Sequence, residues 1–416
     1  MILNKYQELF KKLNFSVCLV LTFWIPLLIV KSHISYGILL WLILWILEGD
    51  FKNKFQKKHT FETKLLFFLL ISFYLLHIVG LIYTQNLKQG FSEIEKKVTI
   101  FLFPILLFAS NELYRKKFNY ILISFISGNL LASLICLGIA FYKYFFLNIN
   151  QTVYDTLSTK YGVFIYTQLS YFLHPSYFSM YLILCIVMLF YFISKNPNLK
   201  IKILLFILLF IFVGMVALLS SRANYFSLII TVIFSGFIYK ILKKTYAKFI
   251  FVSGIILIIS FFLINGPRNI DKSVIKQKMF SNIRGIIWED SFEIIKENFL
   301  FGIGTGDAAD ELDKKLEEGN VQPWYRGLNA HNQYIETFIE LGFLGISVLV
   351  SIFGIAIINS IKQKNYLLLL FLINLGINML FEAMFITSAG VLFFAFFVGF
   401  FAFNKPVEEN SNINLI

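Results

Sequence analysis

The run from residue 201 to residue 221 reads IKILLFILLFIFVGMVALLSS and carries one charged side chain, Lys202, among its 21 positions. A helix needs about 20 such residues to cross roughly 30 Å of hydrocarbon. The whole chain agrees with this reading, because 58% of its 416 residues are hydrophobic, 18% are aromatic and the mean hydropathy is +0.74. These values lie far outside those of soluble domains. The sequence therefore predicts an all-α integral membrane protein.

Twelve apolar runs of this kind divide the chain. They cover residues 15–30, 34–48, 65–83, 97–110, 118–147, 175–194, 201–221, 223–242, 248–265, 336–361, 366–383 and 385–403. Several are shorter than 20 residues, so a merged or re-entrant pair would change the count. We predict about 12 transmembrane helices in four parts: an N-terminal bundle of about nine spans (1–265), one large outer loop between spans 9 and 10 (266–335), C-terminal transmembrane helices (336–403) and a tail (404–416).

Lysines and arginines predict the orientation of these spans. Successive connections between spans lie alternately on the two sides of the membrane. Those on the side of the N-terminus, counted with both termini, hold 21 basic residues, whereas the short connections on the other side hold 7. Positive residues near membrane spans stay on the cytoplasmic side, so both termini are expected in the cytoplasm. This topology accounts for most of the net charge of +13, so nucleic-acid binding is an unnecessary interpretation.

The outer loop of residues 266–335 is long enough to hold structure of its own. Isoleucines and phenylalanines recur at helical spacing between residues 283 and 300, which predicts an amphipathic helix with Arg284 in its first turn. Gly302, Gly304 and Gly306 then predict a turn that lets backbone segments pack closely, and Asp307 to Glu318 predicts a second, solvated helix. The loop ends at His331-Asn332-Gln333, where a polar segment meets an apolar helix.

Four ionisable side chains from separate parts of the chain are expected near the outer membrane face. Arg222 lies in a very short hinge between two apolar runs, Arg284 and His331 lie in the outer loop, and Glu382 lies near the outer end of the eleventh run. Two of them have a structural alternative: Arg222 could extend along the apolar surface so that only its charged end reaches the interface, and His331 could cap a helix. A carboxylate at membrane depth is costly unless a cation accompanies it, and Arg222, Arg284 or His331 could supply that cation to Glu382.

Two arginines beside a histidine are suited to one kind of ligand. Guanidinium groups bind phosphate oxygens bidentately and keep their charge, so Arg222 and Arg284 predict a site for a pyrophosphate leaving group. A histidine has an ordinary pKa of about 6.5 and can accept a proton at neutral pH. His174, which precedes Pro175 at the start of a run, is a further candidate for substrate contact or for local capping. His77 fits a histidine satisfied within its own helix.

These residues resemble the O-antigen ligase and O-antigen polymerase superfamily of bacterial membrane glycosyltransferases. The resemblance depends on His331-Asn332 with Gly342 downstream, on Ser221-Arg222 in a tight outer turn, and on the segment from Arg284 through Trp288 to Gly302-Ile303-Gly304. It implies a GT-C-like helical enzyme of the bacterial inner membrane, with the large loop and the active site facing the periplasm. It covers residues 200–385, whereas the N-terminal half is similar only in being helical and membrane-spanning.

The resemblance also implies roles for individual residues. The enzyme would move a glycan from undecaprenyl pyrophosphate to a sugar hydroxyl of the lipid A core, without a metal or another cofactor, in contact with membrane lipid. Arg222 and Arg284 would bind the pyrophosphate, His331 would be the general base, and Glu382 would stand where the family often has an aspartate. Further candidates for substrate binding or orientation are Asn332, Gln333 and His174.

Three alternatives stay open at this stage. A polymerase that joins lipid-linked repeat units would use the same arginines and histidine. A secondary transporter would also have twelve spans with both ends inside, although many transporters show two similar halves and this chain shows no such repeat. A non-catalytic scaffold would leave the charged residues at the outer face unexplained.

Overall fold

The computed structural model describes residues 2–27, 31–57, 59–147, 162–238, 283–319, 321 and 327–406. The first eight helices are α1 (Ile2–Trp24), α2 (Lys31–Glu48), α3 (Phe51–Phe55), α4 (Phe61–Gly80), α5 (Leu87–Lys97), α6 (Thr99–Phe108), α7 (Leu113–Lys116) and α8 (Phe118–Phe146). The others are α9 (Tyr166–Leu169), α10 (Pro175–Lys195), α11 (Leu199–Leu219), α12 (Arg222–Ile238), α13 (Ile283–Glu297), α14 (Ala308–Glu318), α15 (Gln333–Lys362), α16 (Tyr366–Met379) and α17 (Ser388–Phe403).

The chain is a multi-pass helical membrane protein, as its composition predicts. By length and composition, six of the described helices can cross a membrane: Tyr6–Leu27, Phe61–Gly80, Phe118–Phe146, Pro175–Lys195, Leu199–Leu219 and Gln333–Lys362. Shorter apolar helices cover Ile34–Glu48, Arg222–Ile238, Tyr366–Met379 and Ser388–Phe403. The described regular structure contains helices only, so the prediction of a helical membrane protein is confirmed, whereas the count of 12 spans, the GT-C-like architecture and the periplasmic side of the large loop stay predictions.

The apolar runs predict the positions of the helices well, with one clear difference. The run at 97–110 contains a helix of 10 residues, α6, which includes Pro104. At 1.5 Å per residue this helix is about 15 Å long, half of the hydrocarbon thickness. Helix α6 is therefore shorter than the predicted run and follows directly on the polar helix α5. The run at 248–265 lies outside the described residues.

Two helices form the centre of the bundle. The apolar window of α10 is 100% buried, whereas the windows of the other long helices are between 33% and 50% buried and leave a face for lipid. The side chains of α17 are also buried along most of its length. Tyr181 of α10 stacks on Phe393 of α17 with ring centroids 4.6 Å apart and donates a hydrogen bond to the Ala389 carbonyl (2.7 Å). Such all-round burial explains why both helices lack a polar stripe.

Helix α15 is interrupted at Gly342, whose φ and ψ are 61° and −158°. In a continuous helix the amides of residues 343 and 344 would donate to the carbonyls of residues 339 and 340. Here the Phe343 amide donates instead to the Phe299 carbonyl (2.7 Å). The apolar run predicted at 336–361 is therefore divided at Gly342 and does not form one continuous helix.

The segment with three glycines satisfies the backbone groups that this break releases. Ile303 donates its amide to the Ile339 carbonyl (2.9 Å), and Gly304 donates to the Glu340 carbonyl (3.1 Å). Gly302 and Gly304 have φ of 70° and 114°, in the left-handed region that glycine tolerates. Non-helical backbone at membrane depth is possible only where partners of this kind exist. The glycines thus form the close-packing turn that the sequence predicts.

We expect the Gly342→Ala variant to be less stable than the wild type by about 2–5 kcal/mol, from the positive φ and from overpacking. A Cβ on Gly342 would lie 2.5 Å from the Gly302 amide nitrogen and from the Leu300 carbonyl. Gly354, farther along α15, has open space where its Cβ would be, so Gly354→Ala is the matched control and should be neutral or slightly stabilising. Thermal unfolding in detergent measures both variants; equal midpoints would contradict the expectation.

The segment between α12 and α15 contains both predicted helices. Helix α13 buries Ile287, Ser291, Ile294 and Ile295, whereas Phe292 is 49% exposed. Helix α14 buries Ala308, Leu312 and Leu316 and carries its charges on the other side. These two buried faces pack with Ile335 and Ile339 of α15 in a small core separate from that of the bundle. The loop therefore holds Arg284 in a folded unit next to the start of α15.

Candidate functional site

The polar loop that leads into α15 holds His331 in a fixed conformation. His331 has φ of +48°, which is unusual for a residue with a side chain. Its amide donates to the Asn329 Oδ1 (2.8 Å), and the preceding amide, of Ala330, donates to the buried Glu336 Oε2 (2.9 Å). The Trp288 indole of α13 donates to the Ala330 carbonyl (2.9 Å). Trp288 therefore ties the helix that carries Arg284 to the residue before His331.

Glu382 lies in the connection between α16 and α17, beside His331. His331 Nδ1 lies 3.8 Å from Glu382 Oε2, and the two side chains are 27% and 20% exposed. The Ser176 hydroxyl donates to the other carboxylate oxygen, Oε1 (2.8 Å). Burial alone would raise the pKa of Glu382, but His331, Ser176 and His174 outweigh it and lower the pKa. Glu382 is therefore ionised at neutral pH.

His174 immediately precedes α10 and lies in the same region. Its ring centroid is 6.0 Å from that of Tyr166 and 6.3 Å from that of Tyr177. Desolvation lowers the pKa of His174; the charge of Glu382 opposes this effect and that of His331 adds to it. His174 is thus neutral at pH 7 and within electrostatic reach of both partners of the His331–Glu382 pair.

The two predicted arginines have exposed side chains at the starts of helices. Arg222 begins α12, directly after the turn in which Ser220 has φ of +50°. Arg284 is the second residue of α13, and its charge acts on the Tyr166 hydroxyl, as does that of Glu382. Within the described ranges neither guanidinium forms an ion pair with a carboxylate. Both are therefore available to an anion from outside the protein.

Asn332 and Gln333 are occupied by the protein itself. Asn332 Oδ1 caps α15 by accepting from the amides of Tyr334 (2.9 Å) and Ile335 (3.2 Å). Gln333 Oε1 accepts from the Phe385 amide (2.6 Å), beyond Glu382 in the same connection. Both side chains are buried. These contacts favour a positioning role, and direct substrate contact by either residue stays a prediction.

The structure adds residues to the predicted set. Ser176 donates a hydrogen bond to Glu382. The backbone next to His331 is held by Trp288 and Glu336. The Tyr166 hydroxyl is within electrostatic reach of both Glu382 and Arg284. The sequence offered one signal for Ser176, a hydroxyl one residue after His174-Pro175 at the start of an apolar run. Backbone strain marks the same region, because three of the five described non-glycine residues with positive φ are Tyr166, Ser220 and His331. Such strain concentrates at functional sites.

The side chains of the described residues that could ligate a metal do not form a metal site. No three His, Cys, Asp or Glu side chains in the described ranges are grouped so that they could hold a metal ion. The expectation of a metal-independent reaction remains a prediction. What the site offers chemically is a histidine beside an ionised carboxylate, with exposed guanidinium groups at the ends of two helices.

These features define a class: a helical membrane protein with a charged site built from helix starts and from the loop before α15. Residues 204–350 match the family model described as O-antigen ligase, so the predicted resemblance is confirmed over this part of the chain. The matched segment includes Arg222, Arg284 and His331 and ends before Glu382. No curated protein matches the chain.

Proposed function

We propose that this protein is a membrane glycosyltransferase that moves a glycan from undecaprenyl pyrophosphate to a sugar hydroxyl of the lipid A core, at the periplasmic face of the bacterial inner membrane. The main observation in support is the His331–Glu382 pair, together with Arg284, whose charge acts on the same Tyr166 hydroxyl as that of Glu382. The O-antigen ligase match supports this type of function in general. The identity of the glycan donor, the identity of the acceptor, the location at the periplasmic face and the roles of the individual residues are all part of this proposal.

The histidine would act as the general base. With Nδ1 directed to Glu382, the carboxylate favours the tautomer that carries its proton on Nδ1, so Nε2 is free to accept a proton. Nε2 would take the proton of the acceptor hydroxyl while its oxygen forms a bond to the anomeric carbon of the donor. Glu382 would stabilise the resulting imidazolium. The 3.8 Å separation can shorten when substrate binds, as catalytic contacts often do.

The arginines would stabilise the leaving group. The bond between the anomeric carbon and the pyrophosphate oxygen breaks, and its electron pair leaves with the pyrophosphate. Negative charge therefore develops on that oxygen in the transition state. Arg222 and Arg284 would neutralise it through charge-assisted hydrogen bonds to the phosphate oxygens. Fixed positive charge of this kind can replace the role that a metal ion has in other pyrophosphate-releasing enzymes.

We expect Arg284→Ala to lower turnover by about 10²- to 10³-fold, the usual loss when one donor to a developing oxyanion is removed. Arg284→Lys should be intermediate, because it keeps the charge but loses bidentate geometry. Lys296→Ala is the matched control, since Lys296 is an exposed basic residue near the other end of α13. Glycan transfer by purified protein measures all three. Equal activity of Arg284→Ala and Lys296→Ala would remove Arg284 from the mechanism.

The proposed function is tested by a lipopolysaccharide gel from the native host with the gene deleted, with and without complementation. A ligase predicts loss of all glycan bands above an intact core, restored by the wild type but not by the Arg284→Ala variant. A core that carries a single repeat unit would instead identify a polymerase. An unchanged pattern would contradict transfer to the lipid A core and would reopen the transporter alternative.

A further inference from the structure

A buried polar contact that the proposed mechanism does not use connects the start of α10 to Glu382. Ser176, the second residue of α10, is 6% exposed, and its hydroxyl donates to Glu382 Oε1 at 2.8 Å. The two residues are 206 positions apart in sequence. A buried hydroxyl that donates to a carboxylate makes a charge-assisted bond, which is stronger than a bond between neutral groups.

The carboxylate geometry explains why this bond matters for His331. The two oxygens of Glu382 are fixed in one plane, so holding Oε1 sets the direction of Oε2. Oε2 is the oxygen that faces His331 Nδ1. Glu382 lies outside regular helix, and fixing a glutamate side chain costs rotamer entropy. A second anchor for the carboxylate is therefore needed if the histidine is to keep one orientation.

Ser176 is itself held by a residue next to Arg222. Asn224 is fully buried, and its Nδ2 donates to the Ser176 carbonyl (3.0 Å) and to the Ser221 hydroxyl (2.9 Å). The same amide group therefore joins the turn before Arg222 to the first turn of α10. Contacts run in sequence from this turn through Asn224, Ser176 and Glu382 to His331.

We propose that Ser176 is a positioning residue that orients Glu382 toward His331, and that Asn224 fixes Ser176 relative to the turn before Arg222. The proposal rests on the proposed function. It assigns these two residues the task of keeping the base and one pyrophosphate-binding arginine in a constant relative position. Displacements of about 1 Å in such an arrangement can cost about 10²-fold in rate.

The test compares serines one turn apart on α10. Ser176→Ala removes the donor to Glu382 and should lower kcat by about 10- to 100-fold with little change in KM for the lipid-linked donor. Ser176→Thr retains the hydroxyl and should recover most of this loss. Ser179 is also buried, and its Oγ has no hydrogen-bond partner within the described ranges. Ser179→Ala is therefore the matched control and should keep wild-type kcat.

A double-mutant cycle separates positioning from general packing. If Ser176 acts through Glu382, Ser176→Ala should have almost no further effect on kcat in a Glu382→Gln background. Asn224→Ala should likewise have almost no further effect on kcat in the Glu382→Gln background. In the wild-type background it should lower kcat less than Ser176→Ala does, because the Ser176 hydroxyl remains. Full additivity with Glu382→Gln, or equal losses in Ser176→Ala and Ser179→Ala, would overturn the proposal.

The same assay distinguishes this inference from the proposed function. Near-normal turnover of His331→Ala would remove the proposed general base and the positioning role with it. Loss of turnover in His331→Ala together with normal kcat in Ser176→Ala would overturn the positioning role alone and leave the proposed function in place.

Discussion

Replacing His331 with alanine is expected to lower the turnover number by about 10²- to 10⁴-fold, the contribution usual for a general base. The protein should still insert and fold, because the backbone contacts of this loop involve Asn329, Ala330 and Glu336 rather than the imidazole. The acceptor hydroxyl would then have to lose its proton to water. Turnover is measured as glycan transfer by purified protein, with thermal unfolding as the check on folding.

Chemical rescue provides the control for this variant. Imidazole added to His331→Ala should restore part of the lost turnover, because it can enter the space beside Glu382 and accept the proton. Imidazole should have no such effect on Arg284→Ala, which lacks a different group. Near-normal turnover of His331→Ala without imidazole would exclude the histidine as the base.

The second large effect concerns stability. Replacing Lys97 with methionine is expected to lower the free energy of unfolding by about 3–5 kcal/mol, as when one partner of a buried ion pair is removed. Lys97 is fully buried, and its Nζ lies 2.9 Å from Glu93 Oε2 and 3.2 Å from Glu340 Oε1. His77 Nε2 lies 3.3 Å from the other oxygen of Glu340. Without Lys97, the buried Glu340 would keep only His77 beside it, and Glu93 would keep only the partly exposed Lys96.

The neighbouring lysine is a matched control for this prediction. Lys96 forms an ion pair with the same glutamate, with Nζ 2.6 Å from Glu93 Oε1, but its side chain is 30% exposed. Lys96→Met should therefore cost only about 0–1 kcal/mol. Adding Glu93→Gln and Glu340→Gln to Lys97→Met should recover part of the loss, because the uncompensated charges are then removed. Equal unfolding midpoints for Lys96→Met and Lys97→Met would contradict the account.

Local patterns in the sequence predicted the helices and a cation beside Glu382, whereas the grouping of both arginines with this pair stays a prediction. Apolar runs correspond to α8, α10 and α11 within a few residues, because a membrane span depends on composition over about 20 consecutive positions. Glu382 was expected to have a cation nearby, and His331 lies at 3.8 Å. His77 was interpreted as satisfied within its own helix; its Nδ1 lies 2.9 Å from the Phe73 carbonyl oxygen, but its Nε2 lies 3.3 Å from Glu340 of α15.

Contacts between distant parts of the chain could not be predicted in this way. The bonds of Lys97 to Glu340 and of Ser176 to Glu382 join residues 243 and 206 positions apart, and hydrophobic periodicity carries no information about such pairs. The break at Gly342 was also missed, since its backbone is stable only because Gly302 and Ile303 lie against it. Helix α6 was predicted too long because the apolar run does not show where the polar helix α5 ends.

The most direct test of the central claim is glycan transfer in proteoliposomes that contain only this protein, its lipid-linked donor and core lipopolysaccharide. The donor is the undecaprenyl-pyrophosphate-linked glycan extracted from the deletion host. We predict that the wild type attaches the glycan to the core and releases undecaprenyl pyrophosphate, and that His331→Ala and Arg284→Ala leave the donor intact. Absence of both products with the folded wild type, or equal product with the two variants, would contradict the claim.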